Sequence, residues 1–333
     1  MSSIEVIRST RLSRHGLAVG GVVTAVMVSM PFWTEPDTQH SLIEFLYFLA
    51  LAQIWNLLAG YGGLISIGQQ AYIGLGSYAL VMLSLKFGLD PFLAVMLSGL
   101  VAGLLAVPTY RILSRLQGAY FAVGTWVIAD IYRLFAANLS WLGGGSGISI
   151  TEVMEPYSEW WRDSITFWMA VALGIGSIVA AYLLLRSQHG LGLTAIRDSE
   201  EASESLGVNV PRLKQRIYVV AGAGTGMVGA LIFMTKLRVS PDSCFSVEWS
   251  ALMIFIVVTG GIGTIEGPII GTALYFILRN MLSEYGSAYL IVLGSIAILV
   301  MLKMRAGIWG ELVRRFDWRL FPVQRRIRQT PRR

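Results

Sequence analysis

The sequence predicts an all-α, polytopic integral membrane protein, and three observations carry that prediction. Of 333 residues, 55% are hydrophobic and only 14% charged, whereas soluble domains carry about a quarter charged residues. Several apolar runs exceed the roughly 18 residues that suggest a bilayer span. The runs are continuous and lack the roughly ten-residue alternation of outer-membrane strands, which leaves helices as the spanning element.

Ten apolar segments follow one another, at about 17–33, 42–60, 64–85, 91–110, 119–138, 164–185, 214–235, 249–263, 266–282 and 287–303. The first is preceded by Arg8, Arg11 and Arg14. No small-residue cleavage site follows before Pro31-Phe32-Trp33, so it reads as a span and not as a cleaved signal. The second and third are interrupted by glycines. Arg111 and Arg115 follow the fourth, the fifth carries Asp130, and the sixth stops at Arg186. The seventh begins among Arg212, Lys214 and Arg216. The eighth and ninth meet at a Gly/Pro break, so 249–282 is either two spans or one broken span with a re-entrant piece. The tenth runs into a basic tail. No short-period repeat stands out.

Loop charges set the orientation. The 34–41 loop has Glu35 and Asp37 and no base; the 139–163 loop has four acids and only Arg162. The 186–216 loop has Arg186, Arg197, Arg212, Lys214 and Arg216. Alternation from a cytoplasmic N-terminus places every base-rich loop inside and returns the C-terminus there. The expected organisation is a cytoplasmic segment 1–16, a transmembrane domain 17–303 with a cytoplasmic loop at about 187–213, and a basic cytoplasmic tail 304–333. Ten of the 26 basic residues lie in 303–333. Beside a span, such a tail faces anionic lipid, and nucleic acid is not expected as a partner. The single cysteine, Cys244, excludes an internal disulfide, and the three histidines lie far apart. No metal-ligand spacing occurs, and no cofactor is expected.

Five features carry chemistry. "NLLAGYGGLISIGQQAYIGLGSYAL", from Asn56, places glycines and two glutamines in an apolar run. Gln69 and Gln70 are costly against lipid, so they face protein or water. They are either interhelical hydrogen-bond partners or pathway lining, and the glycines serve close packing. "GLGLTAIRDSEEASESLGVNVPRLK", Gly190–Lys214, is a charged island. Asp198 and Glu201 resemble a capping box, and Gly207 a helix stop. Ala195, Ile196, Ala202 and Leu206 fall near one face of a short helix, with Arg197, Glu200, Glu201 and Glu204 mostly elsewhere. Its acids disfavour anionic headgroups, so a docking helix for a cytosolic partner is the reading preferred to an interfacial one.

The third feature is the break itself, "VVTGGIGTIEGPIIG". Gly260, Gly261, Gly263, Gly267 and Pro268 interrupt two apolar runs, with Glu266 between them. A hairpin turn with a solvated carboxylate is the simpler reading; a gate or partner contact is the alternative. Fourth, "GTGMVG", Gly224–Gly229, matches a dinucleotide pattern but lies inside an apolar run, where close helix packing explains it. No P-loop for ATP occurs. Fifth, Asp130 suggests ion or proton coupling by default. Arg133, one helical turn on, offers a structural pair instead.

Three of these stretches together resemble the branched-chain amino-acid ABC importer permeases of LivM type, over about residues 40–310. Asn56–Leu80 is similar to the family's N-L-L-x-G-Y…S-L-G-H-A-A-F signature. Gly190–Lys214 resembles its ATPase-seating loop. Ser240–Leu274 resembles its S-P-x-S-F…V-x-G-G-x-G-x-x-x-G-P stretch. The family has histidine then alanine where this chain has Gln69 and Gln70, which leaves other small solutes, such as urea and short amides, open as substrates.

The resemblance implies a non-enzymatic transport subunit in a bacterial inner membrane, with both termini cytoplasmic. Its implied partners are a second, LivH-like permease, two cytosolic ATP-binding subunits that hydrolyse ATP, and an extracytoplasmic solute-binding protein. It implies a pathway including Asn56, Ser66, Gln69, Gln70 and Tyr72. ATPase coupling would fall to Ala195, Ile196, Arg197, Glu200, Glu201, Ala202, Leu206 and Gly207. A gate or turn would fall to Gly260, Gly261, Gly263, Glu266, Gly267 and Pro268. The rival is an ion- or proton-coupled secondary transporter, which Asp130 and broken helices would serve.

Overall fold

The computed structural model describes the backbone of residues 3–7, 11–282, 289–304, 306–316, 321 and 326–330. Arg8, used above to orient the chain, lies outside the described residues, as do residues 287 and 288 of the last apolar segment and parts of the 304–333 tail. The elements begin with β1 (Ser3–Ile7), α1 (Arg11–Ser29), α2 (Pro36–Asn56), α3 (Gln70–Val81), α4 (Pro91–Leu113) and α5 (Gly118–Ala137). There follow β2 (Ile148–Ser149), α6 (Thr151–Met154), α7 (Glu159–Arg186), α8 (Gln188–Asp198), α9 (Glu200–Ser205) and α10 (Val210–Lys236). The chain continues through β3 (Arg238–Val239), α11 (Pro241–Cys244), α12 (Val247–Gly260), α13 (Glu266–Leu282), α14 (Tyr289–Lys303), α15 (Gly307–Phe316) and β4 (Arg326–Thr330). Among the described residues the strands form two short antiparallel pairs, β1 with β4 and β2 with β3, and the other elements are helices joined by loops.

Each apolar segment contains a helix, but the helices are unequal. Among the described residues, six stretches are long and apolar enough to cross a membrane, fewer than the ten expected. α3, at 12 residues, rises only about 18 Å against a hydrocarbon core of about 30 Å. α13 has 17 residues. Both short helices follow a glycine-rich break, so the breaks cost the runs their length. π-helical turns at Leu57–Tyr61 and Met82–Lys86 extend α2 and α3.

Helix starts are chemically marked. The Asp90 side chain accepts from Phe92 N at 2.9 Å and Leu93 N at 3.0 Å, capping α4 ahead of Pro91. Asn209 accepts from Arg212 N at 3.1 Å, capping α10. Each cap satisfies donors that the helix itself leaves unpaired.

α10 is the hub, packed on α3 and α4, with α2 holding α7, α12 and α13 on another side. Gly226, in the nucleotide-like stretch, explains the closeness. A Cβ there would strike the Ala102 side chain, and one at Gly76 would strike the Gly226 carbonyl oxygen. The stretch is therefore a helix contact inside α10, with backbones brought together as small residues allow in lipid.

Candidate functional site

The first break, residues 62–69, sits between the end of α2 and the start of α3. Its backbone would lose hydrogen bonds in a membrane interior unless side chains supplied them. Trp55 Nε1 donates to the Ser66 carbonyl at 2.8 Å. Thr125 Oγ1, on α5, accepts from Ile67 N and Gly68 N, both at 3.1 Å. Gln70 N donates to Ser250 Oγ at 3.2 Å, and the Ser250 hydroxyl donates back to Gln70 Oε1. Gln69 Nε2 donates to Thr225 Oγ1 at 3.0 Å.

The two glutamines thus point to different neighbours, Gln69 to α10 and Gln70 to α12. They are 0% and 1% exposed. Contact with solute would require α3 to part from one of those helices. Among the described residues, Gln69 Oε1, Ser66 Oγ and the Tyr72 hydroxyl are buried without a hydrogen-bond partner. Tyr72 packs edge-on against Tyr218, ring centroids 5.8 Å apart. Asn56, grouped with these residues in the sequence, belongs elsewhere.

Asn56 braces the second break, between α12 and α13. Its Oδ1 accepts from Gly263 N at 2.7 Å, and its Nδ2 donates to the Thr264 carbonyl at 2.8 Å. Gln53 Nε2, one turn earlier on α2, donates to the Ile265 carbonyl at 2.6 Å. Gly263 has φ +74°, a left-handed conformation that favours glycine. Glu266 is buried, and Phe321 N donates to its Oε1 at 2.9 Å. The solvated carboxylate expected from the sequence is corrected accordingly. Gly260 and Gly267 lie backbone to backbone, and Pro268 is buried in the first turn of α13. On the other side Gly261 packs against Ala306 and Trp309. The start of the expected tail is thus a helix, α15, seated on the break.

The charged island is two helices, not one. Ser199 leaves helical geometry, with φ −162° and ψ 120°, and its side chain accepts from Ala202 N at 3.3 Å, capping α9. The cap is therefore Ser199 and not Asp198. A serine before two glutamates competes for the backbone as a helix start. The split also undoes the single apolar face. Ile196 is buried and Ala195 half-buried, but Ala202 is exposed and Leu206 is 81% exposed. Glu201 is also exposed, and Glu200 forms an ion pair with Lys214 that ties α9 to α10. Gly207, with φ +84°, follows the end of α9 as expected.

Arg197 joins the two regions. Its guanidinium lies against Gly263, where any Cβ would collide with it. The island and the second break therefore meet at Gly263, whose N–H is hydrogen-bonded to Asn56 at the end of α2. Sequence reasoning named Arg197 and Gly263 but not their meeting. It missed Gln53 and Thr125 outright. Gln53 carried a usable signal, an amide in mid-span like Gln69; Thr125 did not, because threonine is ordinary in an apolar helix.

Asp130 is half-exposed and held by Arg133, whose Nε donates to Asp130 Oδ1 at 2.8 Å and whose Nη1 donates to Asp242 at 3.0 Å. Asp130 and Arg133 thus pair within α5, and it is Arg133 that carries the link to Asp242 on α11.

With this geometry in view, the relatives can be weighed. The family model "Branched-chain amino acid transport system / permease component" matches residues 39–302, from α2 through α14. The chain belongs to this family. Branched-chain permease relatives include the high-affinity branched-chain amino acid transport system permease protein LivM of Salmonella typhimurium, 25% identical over 85% of this chain and 72% of that protein. LivM of Escherichia coli is 25% identical over 84% of this chain and 72% of its own length. The ribose import permease protein RbsC of Bacillus subtilis is 24% identical over 87% of this chain and 91% of its length, so similarity extends to a permease named for a sugar. No solved structure matches the chain. Both breaks, the island and Arg197 fall inside the matched residues.

Proposed function

We propose that this branched-chain permease family member is one of two membrane subunits of an ATP-driven importer, lining the solute pathway with a second permease. The observation that carries the reading is the contact of Arg197 with Gly263. It connects a charged, exposed island to a membrane break braced by α2. Two cytosolic ATPases would seat on α8 and α9, with Leu206 and Glu201 offered to them. Their closure would press the island against the break. Asn56 and Gln53 would carry the displacement into α2, and Glu266, Gly267 and Pro268 into α13. An extracytoplasmic binding protein would deliver solute at the opposite face. Gln69 and Gln70 would meet solute only when α3 separates from α10 or α12. The free Gln69 Oε1 favours a solute that donates a hydrogen bond there, an amine or amide.

The test is uptake by proteoliposomes holding both permeases and the ATPases, supplied with the binding protein. The double variant Glu201→Lys, Ala202→Arg should reach the membrane folded and abolish uptake. Normal uptake by that variant would refute the docking assignment. A panel of leucine, isoleucine, valine, ribose and urea would name the solute, because an importer of this family should favour one class strongly.

A further inference from the structure

Two grooves adjoin where α7 ends and α10 begins. One, of about 520 Å³, has an apolar floor including Leu184, Ile217 and Val220. The other, of about 490 Å³, opens at Arg212. Both are lined by His189 and Arg216. Arg216 Nη1 and His189 Nε2 lie 3.1 Å apart; arginine can only donate, so the histidine nitrogen accepts. This bond bridges α8 and α10 and closes one wall.

The charge is one-sided. Neither groove is lined by a carboxylate. Among the described residues, neither Arg212 nor Arg216 forms an ion pair. The nearby Glu200 is occupied by Lys214. The groove is also graded along the helix axis. From Arg216 to Val220 is about 6 Å of rise, so a cationic mouth stands over an apolar floor on a membrane-length helix. Val220 is 54% exposed, on the part of α10 that lies deeper in the span. A soluble domain reaches the mouth but not that floor, whereas a lipid tail reaches it from within the bilayer. The base-rich loop here is the one the charge bias assigns to the cytoplasmic leaflet, where anionic lipids gather.

We propose that the joined grooves seat one anionic phospholipid. Its phosphate is held by Arg212 and Arg216, and one acyl chain lies along Ile217 and Val220. The lipid fills the corner between α7, α8 and α10, against the island's own Leu191 and Leu213. The acidic face of α9, which repels such headgroups, lines neither groove.

The experiment is native mass spectrometry of the purified full chain taken from nanodiscs of equal phosphatidylglycerol and phosphatidylcholine. The wild type should retain phosphatidylglycerol preferentially. Arg212→Gln with Arg216→Gln should lower that preference about 25-fold, roughly fivefold for each arginine near an anionic surface. Val220→Trp, which keeps both charges and blocks the floor, should also lower retention. Unchanged preference in both variants would overturn the site. So would loss of bound lipid to excess inorganic phosphate, which marks a soluble-anion site. Unchanged lipid with weakened ATPase co-purification would overturn it too, by giving the mouth to a protein. If the double variant does not fold, a photoactivatable phosphatidylglycerol on the wild type decides. Labelling should fall on residues 208–220, and labelling elsewhere defeats the proposal.

Discussion

The two breaks solve the same problem with different neighbours. Each interrupts an apolar run with glycines, and each leaves backbone groups that lipid cannot satisfy. Along residues 66–70 the supporting groups are two hydroxyls and an indole: Thr125, Ser250 and Trp55. None of these reaches the charged island. At residues 261–265 the supporting groups are the amides of Asn56 and Gln53, and the outer face touches Arg197 and Trp309. The first break is buried at Ser66, Gly68 and Gln69 but open at Gly63 and Ile65. The second bears the contact with Arg197 on the island. What separates them is not glycine content, which is similar, but which helices happen to be next door.

The sharpest way to break this contrast is Asn56→Ala. It orphans Gly263 N and the Thr264 carbonyl together, two half-buried groups, at roughly 2–3 kcal/mol. Unfolding in mixed micelles should show that loss, and uptake per folded molecule should fall with it. Thr125→Val comes next. It removes one acceptor shared by two N–H groups and should cost about 1–2 kcal/mol. Uptake per folded molecule should stay near wild type, because Thr125 does not brace the contact of Arg197 with Gly263. An equal fall in uptake for both variants would erase the distinction. Asp130→Asn should have the smallest effect, about 0.2–1 kcal/mol, as exposed ion pairs do. It loosens the tie that holds α5, and with it Thr125, to α11. A shifted pH dependence of uptake with unchanged stability would revive a proton-coupling role for Asp130.

Much of this was legible in the sequence, and the rest was not for definite reasons. The ten apolar runs each announced a helix, because the period and length of such runs are local properties, whereas α6, α11 and α15 lie outside those runs and carried no such signal. The shortness of α3 was hidden. Nothing in residues 62–69 says that they stay unwound, since that depends on Thr125 accepting the amides of Ile67 and Gly68 and on Trp55 donating to the Ser66 carbonyl. The division of the island was within reach. Ser199 is a strong cap, yet Asp198 beside it is an equally good one, and only backbone geometry separates them. Asn56 was singled out as polar in mid-span, but its partners lie more than two hundred positions away. No local pattern points across that distance.

The bond between Gln69 and Thr225 spans 156 residues of sequence, and that distance is also an interval of time. At synthesis rates of roughly 5–20 residues per second, α10 leaves the ribosome roughly 10–30 s after α3. Through that interval α3 waits in the membrane with the Gln69 amide unclaimed, and Ser77 still lacks the Gly229 carbonyl it will meet. The nascent chain therefore passes through a stage in which the polar start of α3 has to be shielded by α4 or by the insertion machinery. A chain halted before α10 stays in that stage, and presents quality-control proteases with a helix that has no way to finish folding.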